Sequence, residues 1–61
     1  MFTLQNKFQD SLWEDAGLED HYDENKARTE AKALSKDSMM IRIIDLSKPE
    51  VIATFAAGKE V

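Results

Sequence analysis

A single histidine, His21, sits among carboxylates: Asp20 and Asp23 lie close on either side, with Glu19 and Glu24 just beyond. These residue types can ligate a metal or exchange a proton, so they are the first place to look for chemistry. Their spacing argues against it. One imidazole with acids at irregular offsets fits no recognised ligand pattern, and Asp20 to Asn25 lacks the glycine that an EF-hand loop needs at its sharp turn. The expectation is a solvated acidic turn, with no metal and no cofactor. Ser11, Ser35, Ser38 and Ser47 have no second histidine, lysine-rich pocket or nucleophile elbow to activate them, and the chain's two glycines form no phosphate-cradling loop. A domain this small also has scarcely the volume for a pocket that would shift carboxylate pKa values. No enzyme is expected, and no small-molecule substrate.

Charge is more informative. From Glu14 to Glu24 there are six acids and no Lys or Arg, and then Lys26, Arg28, Lys32 and Lys36 follow directly. One reading makes Glu14, Asp15, Glu19 and Asp20 a patch that steers the protein to a basic surface, as a mimic occupying a nucleic-acid site on another protein. The other makes the segment a solvated loop with favourable charge at a helix end. Twelve acids against eight bases give a net charge of −4, which argues against direct binding to a phosphate backbone.

The elements that would position these groups follow from periodicity. Phe2, Leu4 and Phe8 share one face of a strand, with Thr3, Gln5 and Lys7 on the other and Asn6 as the polar member of the apolar row. Leu12 and Trp13 begin either a short strand that pairs back and runs out near Ala16 and Gly17, or one or two helical turns reaching Leu18. Asp23 is a good N-cap for a helix from Glu24 to about Lys36, with Tyr22 and Ala27 spaced as a hydrophobic staple. Ala27, Ala31 and Leu34 form its inner stripe, and Glu24 with Arg28 is a well-oriented i,i+4 pair.

The segment from Ser38 to Phe55 reads as a hairpin: a strand from Met39 to Leu46, a loop from Ser47 to Glu50 containing Pro49, and a return from Val51 to Phe55. Alternation sends Met39, Ile41 and Ile43 to one face and Met40, Ile44 and Leu46 to the other, interrupted by Arg42. Val51, Ala53 and Phe55 share a face on the return, and Ile52 and Thr54 take the opposite one. Both faces are apolar, and one helix covers one face. Met40, Ile44, Leu46 and Ile52 are therefore the expected contact surface for a protein partner or a second copy.

The Trp13-Glu14-Asp15 segment, the Ala-centred helix opened by Asp23, Ile41 to Leu46 and Glu50 to Phe55 together resemble short ββαββ proteins of unassigned function encoded in tailed-phage and bacterial genomes. The resemblance implies a one-helix antiparallel-sheet domain that works by binding, often to a host protein, or serves as a structural accessory polypeptide. It implies no catalytic residue.

The chain is expected to form one α+β domain over residues 1–61: a three- or four-stranded antiparallel sheet in the order ββαββ, one helix on one face, and residues 56–61 frayed. Its core is expected to hold Phe2 or Leu4, Phe8, Trp13, Ala27, Ala31, Leu34, Ile41, Ile43, Val51, Ala53 and Phe55. Trp13 has a second reading as an exposed anchor for a partner. The absence of cysteine is compatible with a cytoplasmic location, and neither a membrane span nor a secretory signal is expected.

Overall fold

One helix lies across one face of a five-stranded antiparallel sheet in the computed structural model, which describes residues 1–37 and 39–61. The elements run β1 (Phe2–Lys7), β2 (Glu14–Asp15), α1 (Glu24–Leu34), β3 (Met40–Asp45), β4 (Glu50–Ala56) and β5 (Lys59–Glu60). The spatial order is β2-β1-β3-β4-β5, so the first strand pairs along its whole length with the strand after the helix. The α+β expectation holds, with one strand more than anticipated. Ser38, placed at the start of the expected hairpin, lies outside the described residues.

Asp23 caps α1 by accepting a hydrogen bond from the Asn25 amide at 2.8 Å, filling one of the orphan donor sites of the first turn. The expected staple does not form, because Tyr22 is exposed. Ala27 and Ala31 are fully buried, and their small side chains bring the helix axis close to the sheet. The Arg28 guanidinium spans Glu24 at 2.9 Å and Glu60 at 2.8 Å, joining α1 to β5. These carboxylates, the Glu24 hydrogen bond first, hold Arg28 above its ordinary pKa.

The core is Leu4, Ala27, Ala31, Ile41, Ile43, Ala53 and Phe55, with Phe2, Leu34, Met39 and Ile52 packed around it. Three expected members are elsewhere. Phe8 follows the end of β1 and is 50% exposed, since the chain turns away from the sheet there. Trp13 lies over Arg42, on the face away from the helix.

Val51 is displaced by a bulge. Ile43 faces Ala53, but the next residue, Ile44, faces Val51, so Ile52 is an extra residue in β4 with no opposite number. Val51 thereby joins Ile44 on the helix-free face, and Ile52 packs against the buried cluster. The exchange reverses both sequence-based placements, because an alternation count carries no trace of an inserted residue.

Residues 56–61 are also paired where fraying was expected. Ala56 faces Lys59 across a two-residue turn, in which Ala57 and Gly58 have φ of 54° and 77°. Positive φ at both central positions is the type I′ signature, whose twist matches that of the flanking strands. The Val61 amide continues the pairing to the Thr54 carbonyl at 2.9 Å.

Candidate functional site

Helix-free, the second face of the sheet is built from alternate residues of every strand. Thr3, Gln5 and Lys7 come from β1, Met40, Arg42 and Ile44 from β3, and Val51, Thr54 and Ala56 from β4. Register places Asp15 of β2 beside Gln5 and Lys59 of β5 beside Ala56.

Its focal point is Trp13. The Arg42 guanidinium carbon stands 4.4 Å from the centre of the Trp13 ring, and the Arg42 Nε donates to the Gln5 Oε1 at 2.7 Å. Three strands thus hold one cation–π pair, which immobilises two large side chains before any partner arrives. Local sequence explains the arrangement. The polar turn after Phe8 closes with the Phe8 amide donating to the Ser11 Oγ at 2.9 Å, and β2 then lies against β1 with Trp13 just ahead of it. Trp13 resolves as a strand-proximal residue, since residues 14–15 pair with β1 and do not continue a helix.

The expected apolar contact residues divide. Met40 and Ile44 stand on the open face with Arg42 between them. Leu46 follows β3 and is 45% exposed, its amide donating to the Met1 carbonyl at 2.9 Å. Ile52 has gone to the core, and Val51 takes its place.

The four acids of the expected patch are all exposed. Glu14 and Asp15 form the edge strand, while Glu19 and Asp20 occupy the connection leading to α1. None of the four forms an ion pair among the described residues. Asp15 has a local duty, accepting from the Gly17 amide at 2.7 Å.

His21 lies on the other side of the molecule. Its backbone bridges Phe2 through hydrogen bonds of 2.7 and 2.8 Å, and its Nε2 is 3.6 Å from the Glu30 carboxylate. That nitrogen is shielded from solvent and makes no hydrogen bond among the described residues. A shallow groove of about 590 Å³ passes here along α1, with Asn25, Thr29 and Ala33 in its wall. Its polar groups are partly spent locally, the Thr29 hydroxyl donating to the Asn25 carbonyl at 2.9 Å. Sequence reasoning did not anticipate this groove, because nothing in residue spacing reports where the Glu19–Asp23 connection crosses the helix.

Ser35, the one buried serine among the described residues, is engaged structurally: its hydroxyl donates to the Lys32 carbonyl at 2.9 Å and accepts from the Gly58 amide at 3.1 Å. Among the described residues no helix is long and apolar enough to cross a membrane. No protein-family model, curated protein or solved structure matches this chain.

Proposed function

We propose that this protein is a non-enzymatic binding module that works by protein–protein contact through the helix-free face of its sheet. One observation carries the reading: Trp13 is held over Arg42 on that face, which also carries Met40, Ile44 and Val51. Trp and Arg are the side chains most enriched among interface residues that dominate binding energy, and apolar neighbours that exclude water strengthen them. A large aromatic in so small a chain ordinarily serves the core. Here the core closes without it.

A photoreactive residue in place of Ile44, compared with one in place of exposed Lys32 on α1, tests the reading in the native host. Protein adducts should form from position 44, be lost when Trp13→Ser is added, and be few from position 32. Equal adducts from both positions, or adducts from position 32 alone, would reject it.

A second reading, an acidic mimic that occupies a basic nucleic-acid site on another protein, is supported by the exposure of Glu14, Asp15, Glu19 and Asp20, none of which forms an ion pair among the described residues. Charges of this kind act mainly on encounter. Replacing the four by Gln and Asn should slow association with a captured partner and flatten its salt dependence, with dissociation nearly unchanged. Identical association rates at low and high salt would dismiss the mimic.

A further inference from the structure

Charge in the sheet is sorted by face. The strands carry three cations, and register sets all of them on the helix-free side: Lys7 beside Met40, Arg42 beside Thr54 and Lys59 beside Ala56. Of the five strand acids, Glu14, Asp45, Glu50 and Glu60 fall in register with Ile41, Phe2 and Phe55 on the helix side, and Asp15 alone shares the face with the cations. A chain of net charge −4 thus presents a cationic sheet face. We propose that this face takes an acidic protein segment, one whose carboxylates reach Arg42, Lys7 and Lys59 while apolar residues between them settle on Met40, Ile44 and Val51. The proposal rests on the protein-contact reading above and names the chemistry of its partner.

Arg42 is the centre of the site. Its guanidinium stands over the Trp13 ring and its Nε is spent on Gln5, yet neither Nη group has a hydrogen-bond partner among the described residues. A guanidinium stacked by its face keeps its in-plane N–H donors free, and two of them match the two oxygens of a carboxylate. Holding the group in advance lowers the ordering cost of binding. Lys7 and Lys59 stand two residues away along the strands, at the level of Met40. Unlike Arg28, none of the three cations forms an ion pair among the described residues. Three strand spacings of about 4.8 Å separate Lys7 on β1 from Lys59 on β5, about 14 Å in all. At about 3.3 Å per residue, an extended segment crossing the strands meets both lysines with acids about four residues apart, and the residues between them pass over Met40 and Ala56. Ile44 and Val51 lie at the next level beyond Arg42, where apolar contact keeps water from the charged pair.

Carboxylates suit this face better than a phosphate backbone does. Proteins that hold single strands stack successive bases on several aromatic side chains, whereas no strand residue of this face is aromatic and Trp13 is one platform. Met40, Ile44 and Val51 offer nothing to a phosphate. The whole-molecule charge of −4 also repels a polyanion on approach, while a short acidic segment in contact feels chiefly the cations within a Debye length of about 8 Å at physiological salt.

Selection from a library of random peptides, with the native full chain as bait, tests the proposal. Enriched peptides should carry Asp and Glu separated by apolar residues. An enriched peptide made separately should bind Lys59→Glu about tenfold or more weakly, the fold of that variant being checked by circular dichroism. Asp15→Asn removes the strand acid of the face, keeps the acceptor used by Gly17 and should bind the peptide more tightly, a gain that damage to the fold cannot produce. Lys26→Glu on α1 makes the same charge change away from the face, where an acid suits the first helical turn, and should leave affinity within about twofold. No enrichment, enrichment without acids, or equal losses from Lys59→Glu and Lys26→Glu overturns the acidic partner. So does an oligothymidylate that binds the native protein more tightly than the enriched peptide. Protein adducts from position 44 in the host, beside any of those results, would remove the acidic partner and leave the protein-contact reading standing.

Discussion

The Ser35 hydroxyl accepts a hydrogen bond from the Gly58 amide at 3.1 Å, fastening the C-terminal end of α1 to the turn between β4 and β5. Ser35 is fully buried, and the same hydroxyl donates to the Lys32 carbonyl at 2.9 Å. Replacing it by alanine leaves a buried amide without a partner. Ser35→Ala should cost about 1–3 kcal/mol, the usual penalty for an orphaned buried donor. Ser11→Ala, which removes an exposed acceptor, should stay within about 0.5 kcal/mol. Urea unfolding of both variants checks the contrast, and equal midpoints would mean the clasp contributes nothing.

The β4 bulge makes a second, opposite pair of expectations. Ile52 packs on the core cluster, while Val51 is 46% exposed on the helix-free face. Ile52→Ala should therefore destabilise by about 2 kcal/mol, at the low end of large-to-small core changes, and Val51→Thr by less than about 0.5 kcal/mol. Thermal melts at low protein concentration, where any self-association is dissolved, decide which of the two faces inward.

These positions also mark how far the sequence could be read. Phe2 and Leu4, Ala27 and Ala31, and Ile41 and Ile43 were legible because each pair keeps one unbroken period, two in strands and near four in the helix. Asp23 was legible because a cap is a local hydrogen bond. Val51 and Ile52 were not, since a bulge changes the phase of alternation without changing composition. Trp13 was misplaced because its partner, Arg42, is remote in sequence, and only the pairing of β1 with β3 brings them together. On the candidate face, Met40 and Ile44 were found from alternation, whereas the place of Lys59 at the far edge needed the strand order, with β5 outermost.

The missed β5 has a cause that can itself be tested. Its turn places Ala57 at φ 54°, a left-handed conformation that costs a residue with a Cβ about 1–2 kcal/mol. Turn signals are normally read from Asn-Gly or Gly-Gly, and Ala-Gly does not stand out. Ala57→Gly should relieve that strain and raise stability by up to about 1 kcal/mol, the glycine's extra chain entropy offsetting part of the gain. Gly58→Ala should do the reverse, for Gly58 has φ 77° and a Cβ there would come within 3.0 Å of the Lys36 side chain. Denaturant midpoints of the two variants should move in opposite directions.

The turn between β3 and β4 supplies a pH dependence. Asp45 Oδ1 accepts from the Ser47 hydroxyl at 2.6 Å and from the Ser47 amide at 2.9 Å. These bonds, the hydroxyl first, hold the Asp45 carboxyl below its ordinary value of 3.8, with smaller help from the N-terminal amine and Lys48. A carboxylate whose pKa is lower in the folded state than in the unfolded chain contributes stability that is fully present above the unfolded value. That contribution is lost as pH falls through the folded value. Asp45→Ala should therefore narrow its stability deficit against the native protein as pH is lowered from 7 through this acidic window. Asp45→Asn keeps an acceptor for Ser47 and carries no charge, so the step assigned to Asp45 should vanish from its pH profile while the turn survives. Chemical unfolding of the three proteins at a series of pH values measures this. A deficit for Asp45→Ala that stays constant from neutral to strongly acidic pH would show that the carboxylate's charge has no part in holding the turn.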